Sequence, residues 1–370
     1  MRYVVNATLE EVGHARIGPV AWDIAAYGGL LELGSPGLVI EALARRRRLR
    51  FDVRRASRVP ARASTSPTLA DLLRMPEAAA GPRGRLAGVR RVLSRVANTD
   101  VVIPPKGFDA VISHLRLAIS AGSSAALVRT TTGIIPELWS WRPPPDGELV
   151  RSAHIAQELA FGERADRVIC WTHYGADNLA RAGLTGNRIE VAFPILRLAE
   201  PDGPELAPSE HVRAVFVSGA TWLKGLPEAL AAVAAVDDVE LHVVGGRVPR
   251  DPPPRTHWHG RLLPGRVARL LASADVLLGP ARQETLGVSI LEGMRAGAVV
   301  IGSSIGTVKE LVGHTGRLVA PGCADALTEA LREVAGDARA RQEMGQAAQR
   351  RYLDLYHPSV TGPAWIDALS

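Results

Sequence analysis

The sequence predicts an α/β protein built of two doubly wound domains, and three features predict it. Short runs rich in Val, Ile and Leu recur along the chain with helix-length segments between them, the alternation that gives parallel sheets. Residues 200–208 form an acidic linker rich in Pro and Gly, and a chain of 370 residues is long enough to carry a core on either side of it. Residues 274–302 run as strand, glycine-bearing loop, helix and strand, the unit from which such sheets are made.

Taken in order, residues 2–8 read as the first strand, followed by a glycine-punctuated loop over 11–19 that contains Gly13. Residues 38–44 have helical spacing, 49–53 read as a second strand, and 57–82 as a mobile loop with a short helix at 69–74. Residues 85–96 place Leu86, Val89, Leu93 and Val96 on one stripe with arginines on the flanks, an amphipathic helix. Strands are expected at 100–103, 125–130, 166–171 and 188–194. Thr131 and Thr132 follow one of these strands and His173 another, and strand ends are where open α/β sheets bind ligands.

Beyond the linker, 212–219 read as a strand and 226–236 as a helix, with Lys224 and Gly225 at the turn between them. A lysine there reaches a phosphate oxygen as a point charge. Residues 239–246 form the next strand and turn. His257 and His259 flank Trp258, but no Cys or carboxylate stands beside them in ligand spacing, so no metal site is expected. Residues 328–350 read as a charged helical tail.

The stretch 280–302 contains Glu284 and Glu292. On one helix, residues this far apart would stand about 12 Å apart along the axis and roughly 80° around it, so they cannot converge on one small group. Glu284 therefore belongs in the loop behind a strand at 274–280, and Glu292 on the second turn of a helix opening after Gly287. A glycine loop leading into a helix N-terminus offers N–H groups and the positive end of a dipole to an anion. Carboxylates beside such a loop suit the hydroxyls of a sugar or ribose.

The order Pro280, Glu284, Leu286, Gly287, Leu291, Glu292, Gly293, Met294, Ala296, Gly297 resembles the signature of retaining glycosyltransferases of family four, which have the GT-B architecture. The likeness runs over residues 212–352 and takes in Lys224–Gly225, residues 258–262, 306–312 and 315–322. It implies two Rossmann-like domains facing across a cleft: residues 1–203 for the acceptor, 204–350 for the nucleotide sugar, and 351–370 as a helix crossing back onto the first domain. It also implies that Glu292 accepts hydrogen bonds from ribose hydroxyls while Glu284 faces the donor sugar. Lys224, the N–H groups of Thr285, Leu286, Gly287 and Val288, and the Ser289 hydroxyl would surround the diphosphate, with Gly219, Gly260 and Arg261 completing the donor site. Glu284 and Lys224 would be the catalytic pair.

The chain departs from the family in two places. The arginine usual five residues before the lysine is replaced by Gly219, leaving Arg282, Arg261 or Arg247 to supply the charge. The usual histidine near the transferred sugar falls where Thr131 or Thr132 stands, so Gly13, Thr131, Thr132 and His173 are only candidate cleft or acceptor residues.

Composition bounds the partners. The net charge of +6 is concentrated: residues 45–95 hold fifteen arginines against Asp52, Asp71 and Glu77, or +12 for the segment. Phe51 is the only aromatic there, which argues against nucleic acid, whereas the 83–96 helix could lie on an anionic bilayer. Cys170 and Cys323 cannot make a disulfide framework, and neither an export signal nor a long apolar run is visible, so a reducing cytoplasm is expected, with peripheral membrane contact at most. No D-x-D occurs, so no metal clamp on the diphosphate is expected, and the only cofactor-like molecule is the nucleoside diphosphate sugar itself.

The expected activity is metal-independent transfer of a hexose from a UDP- or GDP-linked donor to a small or lipid-linked acceptor, with retention. The alternatives are a sugar-nucleotide epimerase or phosphorylase on the same architecture, or a non-catalytic module binding nucleotide sugars or anionic surfaces. No G-x-G-x-x-G follows a strand, which argues against a dinucleotide oxidoreductase.

Overall fold

The structure is a computed structural model. It describes the strand backbones at 3–6, 57–60, 100–103, 110–113 and 118–120, and then residues 126–368 apart from 142–145, 185–187, 197, 220–221, 247–249 and 251–252. Gly13 with its loop, the strand expected at 49–53, the helices expected at 38–44, 69–74 and 85–96, and most of the basic segment lie outside the described residues. The chain divides into two compact units, Met1–Arg197 with Thr361–Ser370, and Leu198–Val360.

In the first unit, β1 (Tyr3–Asn6), β4 (Ala110–Ser113), β6 (Ala126–Thr131), β7 (Arg167–Cys170) and β8 (Ile189–Val191) form one parallel sheet in the order β1-β4-β6-β7-β8. A separate three-stranded sheet joins β2 (Ser57–Pro60), β3 (Asp100–Ile103) and β5 (Ala118–Ser120), with β2 antiparallel to β3. Two expectations are corrected here. Residues 57–60 are a strand rather than loop, and 100–103 belong to this small sheet, while the main-sheet strand is 110–113. The runs at 100–103 and 110–113 are equally short, and strand pairing rather than local pattern assigns them to different sheets.

Helices α1 (Glu137–Ser140), α2 (Asp146–Arg164) and α3 (His173–Arg181) complete the described part of this unit. Thr172 starts α3 by accepting a hydrogen bond from the Gly175 N–H at 3.1 Å, the usual duty of a threonine N-cap.

The second unit is one six-stranded parallel sheet: β9 (Val212–Val217), β10 (Val239–Val244), β11 (Thr256–Gly260), β12 (Val276–Gly279), β13 (Val299–Ser303) and β14 (Arg317–Val319). The order is β11-β10-β9-β12-β13-β14. Counted from β9, this is the 3-2-1-4-5-6 arrangement of dinucleotide-binding sheets, whose order reverses between the first and fourth strands. The crevice it predicts lies beyond the carboxyl ends of β9 and β12.

Buried parallel strands read as continuous apolar runs, as in β12 and β13, where Val276, Leu277, Leu278, Val299, Val300 and Ile301 are all buried. Connecting the strands are α4 (Leu226–Ala234), α5 (Pro264–Leu271), α6 (Val288–Ala296), α7 (Gly306–Val312) and α8 (Ala324–Gly336). One core packs Phe216, Leu241, Val243 and Leu278 against Ala229, Val233, Leu327 and Leu331 of α4 and α8.

The expected charged helical tail falls on two helices, α8 and α9 (Ala338–Leu355). Asp337 separates them, its carboxylate accepting from the Ala340 N–H at 2.9 Å. The last helix, α10 (Pro358–Ala368), carries Trp365, which is fully buried and donates its indole N–H to the Phe193 carbonyl at 2.7 Å. Arg167 of β7 donates to the Ala368 carbonyl, also at 2.7 Å.

Candidate functional site

The site is built where the second sheet reverses. After β9 the chain turns through Gly219, Trp222 and Lys224 into α4, and after β12 it runs through Pro280, Arg282 and Glu284 into α6. These loops are tied together: the Arg282 N–H donates to the Leu223 carbonyl at 2.8 Å. Gly225 starts α4 in the left-handed region, φ +80°, and a Cβ there would lie 2.2 Å from the Pro280 carbonyl oxygen. Only glycine lets the two loops come this close.

Lys224 and Glu284, sixty residues apart in sequence, meet in this crevice. Lys224 Nζ donates to Glu284 Oε2 at 2.7 Å and to the Gln283 carbonyl at 3.1 Å. The second carboxylate oxygen, Oε1, accepts from the Thr285 N–H at 3.0 Å and the Leu286 N–H at 3.4 Å. Two of the amides expected to face a diphosphate are therefore held by the neighbouring carboxylate. Gly287 then adopts φ +73° and opens α6 without any side-chain cap. The first N–H groups of a helix have no intrahelical partner, so the α6 terminus at Val288 and Ser289 keeps its donors for an anion.

Glu292 stands on the second turn of α6, half-buried, and makes no hydrogen bond to any described residue. Burial pushes its carboxyl up to about 7, against the weaker pull of the Arg295 charge. An uncommitted carboxyl group beside a helix N-terminus is equipped to accept hydrogen bonds from a polyol.

Arg282 is buried and engaged. It donates to Glu228 Oε2 at 3.1 Å and also pairs with Oε1, and it reaches the Trp222 carbonyl at 3.0 Å. The guanidinium holds the Glu228 carboxyl below its usual range. Of the three arginines that could replace the missing one, Arg282 is thus committed to the protein, Arg247 lies outside the described residues, and Arg261 is exposed just past β11. Gly219 is exposed, and a side chain there would meet nothing within 4 Å. Gly260 closes β11 at φ +61°, its carbonyl accepting from the Gly245 N–H at 2.6 Å.

Sequence reasoning missed Trp222, which is 51% exposed two residues before Lys224, with the Arg282 guanidinium 4.8 Å from its ring centroid. A large aromatic beside a site lysine was the available signal. In the first unit, Thr131 ends β6 with Thr132 just after it, and His173 opens α3, exposed, after the neighbouring β7. The Thr131 hydroxyl donates to the buried Glu158 carboxylate at 2.7 Å and accepts from the Gly133 N–H at 3.0 Å. Glu158 also receives Arg129 at 3.3 Å. Thr131 is thereby fixed in a structural network, while Thr132 and His173 stay at the strand ends.

Residues 211–337 match the family described as glycosyl transferases group 1. That segment holds both loops and α6. The MMP α-(1→4)-mannosyltransferase of Mycolicibacterium hassiacum is 31% identical over 150 residues, 36% of this chain and 36% of that protein. The chain thus spans about a third of that relative's length. The GDP-mannose-dependent α-(1-6)-phosphatidylinositol monomannoside mannosyltransferase of Mycolicibacterium smegmatis is 27% identical over 326 residues, 80% of this chain and 74% of that protein.

Among solved structures, sucrose-phosphate synthase from Thermosynechococcus elongatus superposes with a TM-score of 0.66 over 100% of this chain and 98% of that one, at 16% identity. The fold is that of the GT-B glycosyltransferases, α/β with parallel Rossmann-like sheets. No described helix is long and apolar enough to cross a membrane.

Proposed function

We propose that the protein is a retaining hexosyltransferase that takes its sugar from a nucleoside diphosphate donor, UDP- or GDP-linked. The observation that carries this is the meeting of Lys224, Glu284 and the α6 N-terminus at the reversal point of a 3-2-1-4-5-6 sheet. The mannosyltransferase names of the two relatives make GDP-mannose the first donor to test. The acceptor is a small molecule or a lipid-linked sugar, handled by the first unit.

On this reading Lys224 exchanges one anion for another. With no donor it sits on Glu284; with donor it turns to the diphosphate, and the released carboxylate takes up hydroxyls of the donor sugar. Glu292 accepts from the ribose hydroxyls.

As the bond from the anomeric carbon to the diphosphate oxygen breaks, negative charge collects on the leaving group. Once Lys224 has turned to the bound diphosphate, it and the α6 N–H groups stabilise that charge with no further movement. The departing phosphate oxygen can take the acceptor's proton on the same face, which explains why no glycosidase-like pair of carboxylates is required. The sequence has no D-x-D to hold a metal on the diphosphate, so transfer is metal-independent.

The deciding experiment measures thermal shift with UDP-, GDP- and ADP-sugars, followed by a transfer assay with the donor that stabilises. A bound donor raises stability by RT ln(1 + [L]/Kd). Glu292→Ala should abolish the shift; a variant that shifts like the parent refutes the ribose role. Turnover of donor without any acceptor would favour an epimerase instead.

A further inference from the structure

Four side chains of ligand type share one face at the edge of the second sheet. Glu240 and His242 stand two residues apart on β10, and His257 and His259 two apart on β11, a spacing that sends each pair to the same face. His242 and His257 are register partners across the two strands. Their rings stack at 4.7 Å between centroids, and those of His242 and His259 at 5.2 Å.

We propose that Glu240, His242 and His257 form a binding site for a divalent transition metal of the zinc class. One ligand atom from each lies within 4.8 Å of the others. Glu240 Oε1 is 3.4 Å from His242 Nε2, and Glu240 Oε2 is 3.5 Å from His257 Nε2. Ligands at about 2.0–2.2 Å from a tetrahedral ion stand about 3.4 Å apart. Two imidazoles and one carboxylate suit zinc and its neighbours rather than calcium or magnesium.

Two further observations point the same way. His242 is 4% exposed, and its Nε2 makes no hydrogen bond despite facing Glu240, an orphaned buried atom of the kind a metal would satisfy. The outer contacts that orient metal ligands are also present. His242 Nδ1 is 2.9 Å from His259 Nε2, and Glu240 Oε1 accepts from Arg213 Nε at 2.9 Å. The exposed His257 leaves an entry path and a place for water as the fourth ligand. The site needs residues from two strands, so the missing carboxylate beside the 257–259 histidines comes from Glu240, seventeen positions before His257. Bound there, the metal would clip the edge strand β11 to β10.

The test uses the full chain, stripped by a chelator, dialysed and titrated with zinc chloride in a calorimeter. One Zn²⁺ per chain is expected, with a rise in Tm. Cobalt in its place should give visible absorption bands of low-symmetry coordination. His257→Ala alters a side chain that is 53% exposed, so the fold is kept, and it should weaken zinc binding about tenfold or more. Glu240→Gln should do the same and serves as the second variant if the first is unstable. No zinc binding by the parent, or equal affinity in the parent and both variants, overturns the proposal; the latter would place the ion on other histidines.

Discussion

Lys224 Nζ lies 2.7 Å from Glu284 Oε2, so a lysine at the mouth of the second sheet is paired with a carboxylate on the facing loop. The contact keeps a cation and an anion side by side in a crevice where an anionic donor would enter. A bound diphosphate would compete for the lysine. Lys224→Met should therefore weaken donor binding by about 1.5–3 kcal/mol, the range for a hydrogen bond to a charged group. Calorimetry with the stabilising donor measures it, and an unchanged Kd would remove Lys224 from the site.

Glu284→Gln keeps the shape of the loop and removes the charge. Donor binding should change little, because Lys224 is then unopposed, while kcat should fall as the sugar loses a strong acceptor. Steady-state kinetics separates the two effects, and a variant that raises KM alone would assign Glu284 to binding only.

The raised carboxyl of Glu292 makes donor affinity depend on pH. A carboxylate accepts ribose hydroxyls better than a carboxylic acid does, so binding favours the ionised form and releases a proton. With the free group titrating at about 7, affinity should rise about tenfold from pH 6 to pH 8, and Glu292→Gln should flatten that slope. Unliganded stability runs the opposite way. The folded state holds this proton more tightly than the unfolded chain, so the contribution is present at acid pH and is lost as pH rises through 7. Kd profiles and denaturant melts at several pH values test both signs.

The buried pair Arg282 and Glu228 makes a fourth test. Glu228→Ala strands a buried guanidinium and should cost about 3–5 kcal/mol in urea unfolding. Replacing both partners with apolar residues should recover most of the loss. Since the arginine depresses the Glu228 carboxyl, this contribution holds above the ordinary carboxylate range and disappears as pH falls below it.

Gly225→Ala places a methyl group 2.2 Å from the Pro280 carbonyl in a left-handed backbone. The strained conformation alone costs about 1–3 kcal/mol, and relieving the clash must move Lys224. Tm and donor-induced shift should both fall. A stable variant with normal donor binding would show that the two loops can separate without consequence.

The sequence carried the second unit well because its signals are local. Residues 274–302 alternate apolar strand, glycine loop and helix within one window, and Glu284 and Glu292 lie on loop and helix as their spacing requires. Pairings between distant segments were hidden. Nothing in the order of residues says that Glu228 claims Arg282, or that Glu240 approaches His257, because the adjacency of β9 and β12 decides the first and the register of β10 with β11 the second. The first unit was harder still. Residues 100–103 and 110–113 are equally plausible strands in isolation, and only pairing assigns them to different sheets.

Because Trp365 is sunk beneath the Phe193 carbonyl, the amino-terminal unit is discontinuous in the chain, whereas Leu198–Val360 is a single uninterrupted stretch. An expression fragment of the latter can be cut cleanly from the gene. The former needs the distant segment from Thr361 onward supplied, and a stop codon ahead of that segment would damage the unit encoded before the linker.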